Sequence, residues 1–381
     1  MKEKYCKIPK FRFNKFLESW KRLKYEDVIE VNSGKDYKHL DKGDIPVYGT
    51  GGYMLSVSEA ITNKDGVGIG RKGTINKPYI LKAPYWTVDT LFFCIPKNKY
   101  NLYFINAIFE RTQWERFDES TGVPSLSKLT INNIQNYFPS FDEQSAIGSL
   151  FRILDELLAN YKDNLANYQS LKATMLSKMF PKAGQTVPEI RLDGFKEDWK
   201  SKQLKDLVSE VSRKIDKPLE PYYRMSIRSH AKGTFKQFVE DPKSVAMDVL
   251  FEVKVNDLVV NITFAWEHAI AVAREEDDGL LVSHRFPTFV IDNADVDFIN
   301  TYIKREIFRQ KMDLLSPGGA GRNRVLNKKE FVKISILVPS LPEQQAIGTY
   351  FTNLDNLISA HQEKISQLET LKKKLLQDVF I

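Results

Sequence analysis

The chain has 381 residues, of which 42% are hydrophobic and 12% aromatic, enough for two soluble domains of ordinary size. Two cysteines and five scattered histidines exclude a disulfide framework and a zinc pattern. No membrane-length apolar run and no signal peptide occurs, so we expect a cytoplasmic protein with no membrane partner, and the net charge of +7 suits a polyanion.

The first globular segment, residues 1–140, is predicted to be mixed structure with prominent strands. A lead segment at residues 8–31, which contains Trp20, is followed by short apolar runs separated by Gly and Pro turns: DIPVYGTGGYMLSV, DGVGIGRKGTI and PYILKAPYWTVDTLFFCI. We expect a helix at residues 102–116 and then a hydroxyl-rich loop at 120–123.

A glycine-rich run in this segment, Gly68 to Gly73, matches G-x-G-x-x-G. A dinucleotide-binding loop needs a following helix N-terminus to hold the pyrophosphate, and residues 74–78, TINKP, cannot easily open one. Lys72 is followed by glycine rather than Ser or Thr, which also argues against a Walker loop. We interpret the run as a turn that presents Arg71 and Lys72 to a phosphate backbone.

A long helix is predicted at residues 141–180. Pro139 ends the preceding strand, and Glu143 and Gln144 place acceptors in the first turn, where free backbone amides favour them. The apolar positions step alternately by four and three residues, an average of 3.5 that is typical of a coiled-coil seam. The pattern also includes Tyr161 and Tyr168, and we assign Ile147, Phe151, Leu154, Leu158 and Leu165 to the predicted seam.

The second half begins with a polar linker and the first part of a repeat of the lead segment, together residues 181–200. VPEIRLDGFKEDWKSKQLKDLVSEV resembles IPKFRFNKFLESWKRLKYEDVIEV and aligns Trp199 with Trp20, at an offset of 179. Residues 201–340 form the second globular segment, with predicted strands in DLVVNITFAWEHAIAVAR and GLLVSHRFPTFVID. We predict one helix at 296–314 and a basic loop at 316–324.

Residues 341–381 repeat the first long helix at an offset of 200, with no residue gained or lost. Fixed length indicates a rigid helix, because a loop would tolerate insertions. The simplest partner for each copy is the other copy, although an oligomerisation helix is an alternative. The second seam consists of Ile347, Phe351, Leu354, Ile358 and Ile365.

The two offsets, 200 and 179, are unequal, so the globular segment changed in size while the helix kept its length. A helix of about 35 residues is about 50 Å long, which corresponds to about 15 base pairs at about 3.4 Å each. Since both helical copies are nearly neutral, the excess positive charge lies in the globular segments. The pattern favours an internal spacer between two globular domains, and the charge of those domains suits a polyanion partner.

Catalytic motifs are not found. Asp241 with Glu252-Val253-Lys254 is similar to the D…E-x-K of metal-dependent nucleases, but such a triplet arises easily in a chain with 28% charged residues. The Asn-Pro-Pro-aromatic signature of amino-methyltransferases is missing. We predict no chemistry on this chain; the alternatives are a single-chain methyltransferase or nuclease with its own active site, and a coiled-coil interaction protein that does not bind DNA.

The motif P-x-x-x-E-Q-x-A-I, at residues 139–147 and 339–347, resembles that of the specificity subunit of type I restriction-modification systems. Each copy is preceded by a variable domain and followed by a long helix, so the likeness covers essentially the whole chain. Two further pieces, residues 264–267 (FAWE) and 283–286 (SHRF), look like one recognition-domain subtype, and IPVYGTGGY and GIGRKGTI look like another.

The resemblance implies an α+β fold with two pseudo-symmetric halves. Each half would be a mixed α/β target-recognition domain followed by a long helix, and the two helices would form an antiparallel coiled coil. Each domain would read one half of a bipartite double-stranded DNA target. Two modification subunits would carry S-adenosylmethionine and methylate adenine, restriction subunits would use ATP and Mg, and this chain would hold no cofactor or metal.

Candidate DNA-binding residues are expected among basic and amide side chains near glycine turns, since Arg and Lys reach guanine edges and, more often, phosphates, while Asn and Gln can pair with adenine. The aromatic residues Tyr53, Trp86 and Trp266 are expected in the core more often than as wedges in DNA. The candidates are Arg71, Lys72, Thr74, Gly51 and Tyr53 in the first domain and Arg224, Arg228, Arg285, Arg322 and Arg324 in the second.

Overall fold

The computed structural model describes residues 9–318 and 324–381. It divides the chain into two compact units: unit 1 comprises Met1–Asn164 and His361–Ile381, and unit 2 comprises Leu165–Ala360. Both units are mixed α and β structure, as predicted, and each contains part of both long helices.

Unit 1 is built from short strands, short helices and the beginning of the first long helix. Its elements in chain order are β1 (Lys21–Lys24), α1 (Tyr25–Val28), β2 (Ile29–Ser33), β3 (Lys42–Gly49), β4 (Gly52–Val57), β5 (Gly66–Gly70), β6 (Tyr79–Leu81), β7 (Trp86–Thr87), β8 (Leu91–Pro96), α2 (Leu102–Arg111), α3 (Lys128–Asn133), β9 (Gln135–Phe138) and α4 (Phe141–Lys178). The sheets have the strand orders β2-β8-β5-β6, β4-β3-β7 and β1-β9.

Unit 2 has the same general plan with different sheets. Its elements are β10 (Lys200–Gln203), β11 (Val208–Val211), β12 (Lys214–Asp216), β13 (Tyr222–Ile227), β14 (Thr234–Val239), β15 (Val249–Glu252), β16 (Leu258–Val260), β17 (Ile270–Val272), β18 (Leu281–Val282), β19 (Thr288–Ile291), α5 (Val296–Tyr302), α6 (Glu306–Leu314), α7 (Lys328–Phe331), β20 (Ser335–Val338) and α8 (Leu341–Asp378). The strand orders are β11-β19-β16-β17, β12-β15-β18-β13-β14 and β10-β20.

Two helix predictions were wrong in extent. The first predicted helix ends at Arg111, where the Thr112 hydroxyl donates back to the Ile108 carbonyl at 2.7 Å and the backbone becomes extended. The helix predicted at 296–314 is two helices, because Arg305 is extended with φ −75° and ψ 145°. Its guanidinium lies 4.4 Å from the centre of the Phe180 ring, a long-range contact that no local pattern indicates.

The two repeated segments of each half are hydrogen-bonded strand partners. In unit 1, β1 pairs antiparallel with β9, with Lys21 opposite Phe138. In unit 2, β10 pairs with β20, with Lys200 opposite Val338. These registers correspond residue for residue under the offsets of 179 and 200. Each strand pair therefore closes its globular domain directly before the long helix, and the additional residues of the second half lie between the paired strands.

The Glu-Gln pair at the start of the first long helix joins three segments. Glu143 is buried and accepts two hydrogen bonds from the guanidinium of Arg12, at 2.7 and 2.8 Å. The Gln144 side chain accepts from the backbone amide of Asn101 at 3.1 Å and donates to the carbonyl of Pro139 at 3.0 Å. Because Asn101 is the N-cap of α2, the motif attaches α4 both to the lead segment and to that helix.

The second copy makes the same connections with its own partners. Glu343 accepts two hydrogen bonds from Arg191, both at 2.8 Å, which raises the pKa of Arg191. Gln344 accepts from the amide of Asp295, the N-cap of α5, and donates to the carbonyl of Pro339, both at 3.0 Å. The Glu-Gln motif thus holds each globular domain to its helix, and removing one partner of such a buried pair costs about 3–5 kcal/mol.

Each long helix ends in the core of the unit in which the other helix begins. Phe380, two residues after the end of α8, lies in the core of unit 1, where its ring meets those of Trp20, Phe104 and Phe151 at centroid distances of 6.3, 5.4 and 5.9 Å. Phe180, two residues after the end of α4, meets Trp199, Phe298 and Phe351 in unit 2 at 5.7, 5.8 and 6.1 Å. The aromatic residues that end the two repeats therefore fill equivalent places.

The long helices run antiparallel within unit 1. Asp155 pairs with Lys372, and Lys162, further along α4, pairs with Glu369 at 2.7 Å, so residue numbers fall on α8 as they rise on α4. In unit 2 the equivalent pair is Lys172 with Asp355. The direction that the family resemblance implied is therefore confirmed, while supercoiling of the pair stays a prediction.

The residues of the predicted seam pack against the globular domains as well as lying on the helix pair. Seven of its members are buried, and in each unit they pack in a core with residues of the globular domain. The buried members are Ile147, Phe151, Leu154, Leu158, Ile347, Phe351 and Leu354, and the half-buried members are Leu165, Ile358 and Ile365. In the part of the chain that the structure describes, no helix has the length and apolar character of a membrane span.

Candidate nucleic-acid interface

The glycine-rich run of unit 1 is a buried strand that leads into an exposed turn. Gly66–Gly70 forms the inner strand β5, and an irregular turn follows it in place of the helix that a dinucleotide-binding loop needs. A side chain at Gly70 would collide with the carbonyl of Thr74, a half-buried residue, and Gly73 has a φ of 92°. Glycine at these two positions allows the tight turn, in which Arg71 and Lys72 are exposed.

The hydroxyl-rich loop predicted at 120–123 lies beside this turn. The amide of Gly73 donates to the carbonyl of Pro124 at 2.8 Å, and the amide of Leu126 donates to the carbonyl of Arg71 at 2.9 Å. The loop is held in shape by Asp118, whose carboxylate accepts from the amides of Ser125 and Ser120, which lowers its pKa. Two segments that are far apart in the sequence thus form one surface that combines cations and hydroxyls.

The second candidate region of unit 1 is the tip of the β3–β4 hairpin. Gly51 is exposed at the tip, and Gly52 takes a φ of 103° that favours glycine. Tyr53 is 62% exposed, so the expectation that it lies in the core was wrong, whereas Trp86 is buried at 6% as expected. The Tyr53 ring is held 6.3 Å from the Tyr48 ring, and both Tyr53 and Met54 present apolar surface to solvent.

In unit 2, two of the predicted arginines line one cavity of about 270 Å³. Arg224 reaches it from β13, where its Nε donates to Gln237 on the neighbouring strand at 2.8 Å. Arg285 reaches it from the exposed turn after β18. The family-like pieces FAWE and SHRF both contribute to the lining, through Phe264 in the first and Ser283, Arg285 and Phe286 in the second.

The other arginines of unit 2 make internal contacts. Arg228 donates to the carbonyl of Thr234, and its guanidinium lies 5.0 Å from the Phe235 ring centre. Arg324 donates to the carbonyl of Ser316 at 3.0 Å and pairs with Asp313, and it covers the half-buried Trp266 ring at 5.4 Å. These contacts make a structural role the simpler interpretation of Arg324. The candidate Arg322 lies outside the described residues.

Sequence reasoning missed the polar neighbours of the two cavity arginines. Asn261 and Thr263 line the same cavity, and Gln237 orients Arg224. Their only sequence signal is that Asn261 and Thr263 directly precede the FAWE piece, and Gln237 carries none. Among the described residues, no group of His, Cys, Asp and Glu is arranged to hold a metal ion.

A family profile and a similar protein of known role both point to one family. The profile of the type I restriction modification DNA specificity domain matches residues 18–170 and 196–370, one match in each half. The specificity subunit of the type I restriction enzyme MjaVIII from Methanocaldococcus jannaschii is 23% identical over 273 residues, which are 68% of this chain and 64% of that protein. The chain thus spans just under two thirds of the length of this curated relative.

A similar fold has been solved. The crystal structure of the S subunit of a type I restriction-modification system from M. genitalium has a TM-score of 0.67 at 14% identity. The likeness covers 98% of this chain and 99% of that one. At this low identity, it shows that the two chains share their fold from end to end.

Proposed function

This chain belongs to the family of type I restriction modification DNA specificity domains, and we propose that it reads a bipartite double-stranded DNA target for a methylating and cleaving complex. One observation carries the proposal: two domains with different sequences are closed by the same strand pair and held by the same Glu-Gln motif. A strand pair and helix attachment that are repeated, around domains that differ in sequence, suit a protein whose two domains recognise different half-sites.

The charges of the candidate surfaces support DNA as the ligand. The turn of unit 1 exposes Arg71 and Lys72, and the cavity of unit 2 has Arg224 and Arg285 as its charged lining residues. Basic side chains beside hydroxyls and amides match a phosphate backbone together with the donor and acceptor edges of bases. Affinity for duplex DNA should therefore fall steeply with salt concentration.

The length of the helices supports a role as spacer. Both α4 and α8 contain 38 residues, and a helix of that length is about 57 Å long. The two domains differ in size while the helices do not, so selection for a distance explains the pattern better than selection for a contact surface alone. The unread part of the target would be the stretch of duplex that this distance spans.

We propose that modification subunits, two in number, and restriction subunits dock on this chain and supply S-adenosylmethionine, ATP and Mg chemistry. The outer faces of the long helices support a partner in this place, since Ile153, Leu157 and Leu371 in unit 1 are 48%, 40% and 45% exposed. Ile153 and Leu157 are four residues apart and therefore share one face of α4, and a contiguous exposed apolar patch of this kind marks an interaction site.

We propose that the chain itself is not catalytic. The nuclease-like triplet supports this, because its members are engaged in structural contacts. The Asp241 carboxylate accepts from the Lys243 amide at 2.9 Å as a helix cap, and Lys254 pairs with Glu252 at 2.8 Å. These groups are therefore not set out as an open metal site.

The test is to co-express the chain with its cognate modification subunits and to map methylated adenines at base resolution. We expect methylation at one asymmetric sequence with two specified parts and an unspecified spacer, and none when this chain is omitted. Methylation at a continuous site would refute the bipartite proposal. Methyl transfer or DNA cleavage by the purified chain alone, with S-adenosylmethionine or Mg, would refute the non-catalytic proposal.

A further inference from the structure

The cavity of unit 2 has the character of a pocket for a single base, and this inference rests on the proposed function. We propose that it receives one nucleobase extruded from the bound DNA duplex. The occupant is then part of the target, and the cavity reads it by stacking and by hydrogen bonds to its edge. The observations concern the walls, the polar groups, the charge and the size of the cavity.

The walls are two turns that are fixed in shape. Phe264 closes the first turn, its amide donating to the Asn261 carbonyl at 3.2 Å, and Phe286 closes the second, its amide donating to the Ser283 carbonyl at 2.9 Å. The turns are joined by a bond of 3.0 Å from the amide of Ile262 to the carbonyl of Arg285. The cavity therefore needs no large rearrangement to accept a ligand.

The lining is largely apolar and includes aromatic rings. Phe264 and Phe286 are half-buried against the core of the unit, and Met247, Leu250 and Leu281 add aliphatic surface. Aromatic and aliphatic faces are the surfaces against which an extruded base stacks. The size also fits a single base, which is smaller than a drug-sized ligand. Pockets for drug-sized ligands usually measure about 300–1,000 Å³, and this cavity, at about 270 Å³, lies just below that range.

A few polar groups are placed among these apolar surfaces. Tyr222 is 9% exposed, and no partner for its buried hydroxyl is found among the described residues. Asn261 uses its side-chain oxygen to accept from the Thr263 amide at 3.1 Å, which turns its NH₂ donors towards other partners. A hydroxyl and a carboxamide are groups that hydrogen-bond the edge of a base.

The charge of the lining favours a base that is still attached to DNA. Arg224 and Arg285 are the charged residues in the described lining, so the cavity lacks the carboxylates that a cation or an amine would need. One guanidinium is oriented by Gln237 and the other stands on an exposed turn. Two cations beside a largely apolar cavity fit a base together with its backbone phosphates.

The test uses the assembled methyltransferase complex on its mapped target. A series of duplexes replaces each base pair of the second half-site in turn by a mismatch, changing one strand only. Extrusion is easier from a mismatched pair, so we expect binding to tighten by about tenfold or more at one position. Thr263→Phe, which fills the cavity and keeps both arginines, should abolish this gain while leaving binding to the matched target salt-dependent.

The control variant is Phe238→Ala. Phe238 is 54% exposed on β14 and, by strand register, lies on the opposite face of the β13–β14 pair from Arg224. The Phe238→Ala variant should still bind the duplex mismatched at that position more tightly than the matched target. If Thr263→Phe does not fold, as judged by thermal unfolding, Phe286→Ala decides instead, because it removes one stacking face without adding volume. Extrusion of the methylated adenine by a modification subunit would not depend on either substitution.

Two results would overturn the base pocket. In the first, the complex binds its target specifically, but no mismatch tightens binding in a way that Thr263→Phe abolishes. The proposed function would survive this result. The other is tight binding of free deoxynucleoside monophosphates to the chain in the absence of such a gain, which would make the cavity a site for a free nucleotide. A complex with no sequence-specific affinity at all would instead refute the proposed function.

Discussion

The glycine that follows each Glu-Gln motif is a single residue that explains part of the repeat's sequence. A Cβ added at Gly148 would collide with the side-chain oxygen of Asn101 and lie 2.9 Å from the amide of Phe104. At Gly348 the distances to the side-chain oxygen of Asp295 and the Phe298 amide would be 2.5 and 2.9 Å. In both units the long helix approaches the capped N-terminus of a second helix so closely that only glycine fits.

Replacing either glycine with alanine should therefore destabilise the chain. Alanine favours a helix by up to about 1 kcal/mol, but the added methyl group displaces an oxygen that caps two backbone amides in α2. We expect a net loss of about 1–3 kcal/mol for Gly148→Ala, as is usual for overpacking. Urea unfolding of the full chain measures it, with Gly122→Ala as control, since nothing lies within 4 Å of its added methyl. Equal stability of the two variants would contradict the close approach.

Arg71 and Lys72 are single residues that are expected to act on the ligand. If they contact phosphates, Arg71→Ala and Lys72→Ala should each weaken binding to all duplexes alike and reduce the slope of log affinity against log salt by about one. Arg152→Ala is the matched control, since that cation pairs with Glu156 on α4 at 2.7 Å. Fluorescence anisotropy at several salt concentrations measures the slopes. A loss confined to one sequence would indicate base reading by the altered residue instead.

Among the elements, the antiparallel helices are linked by reciprocal ion pairs. Lys372 meets Asp155 in unit 1, and Lys172 meets Asp355 in unit 2, so the same two repeat positions are used in both directions. Each side adds one residue of its own domain: Glu110 joins Lys372, and Lys304 joins Asp355. Burial raises the pKa of Glu110 and lowers that of Lys304. The register of the helices is thereby tied to the domains.

Lengthening one helix alone would break this register, so the spacer test must lengthen both. Seven residues inserted between Asp155 and Lys172, and seven between Asp355 and Lys372, keep the seam in phase. Each helix grows by about 10.5 Å, or about three base pairs. We expect the methylated target to keep both half-sites and to gain about three unread base pairs.

Base-resolved mapping of methylated adenines measures the result. A seven-residue insertion in α4 alone is the matched control, and it should reduce folding yield because it shifts one side of each ion pair. An unchanged target after the double insertion would rule out the helices as the element that sets the spacing.

In the whole molecule, two different domains are built on one repeated frame of strand pair and long helix, so we expect the domains to be exchangeable. The β10–β20 pair belongs to the frame, so an exchange of residues 204–334 with those of another family member leaves the pair intact. We expect the second half-site to change and the first to remain, because the reading surface of unit 1 is untouched. Methylation mapping of the chimera tests this. A change in both half-sites would show that the domains do not read independently.

Much of the frame could be predicted from the sequence because its signals are periodic or repeated. The seam with its average step of 3.5, the offsets of 200 and 179 and the Glu-Gln motif are visible along the chain, and they led to the helices and to the family. The helix break at Arg305 and the exposed Tyr53 could not be predicted, since neither the contact with Phe180 nor the position of a hairpin tip on the surface follows from a local pattern. The individual DNA contacts stay predictions.

The repeats alone establish that this protein has two similar halves, that the helices share one length and that the domains differ. Those properties follow from the spacing of repeated residues along the sequence. Which residues meet became apparent from the folded chain: Glu143 with Arg12, Phe380 with Trp20, and Arg224 with Arg285 around one cavity. The reason is physical, because periodicity reports which face of an element is apolar, whereas burial, charge pairing and cavity shape arise from packing segments that are far apart in the chain.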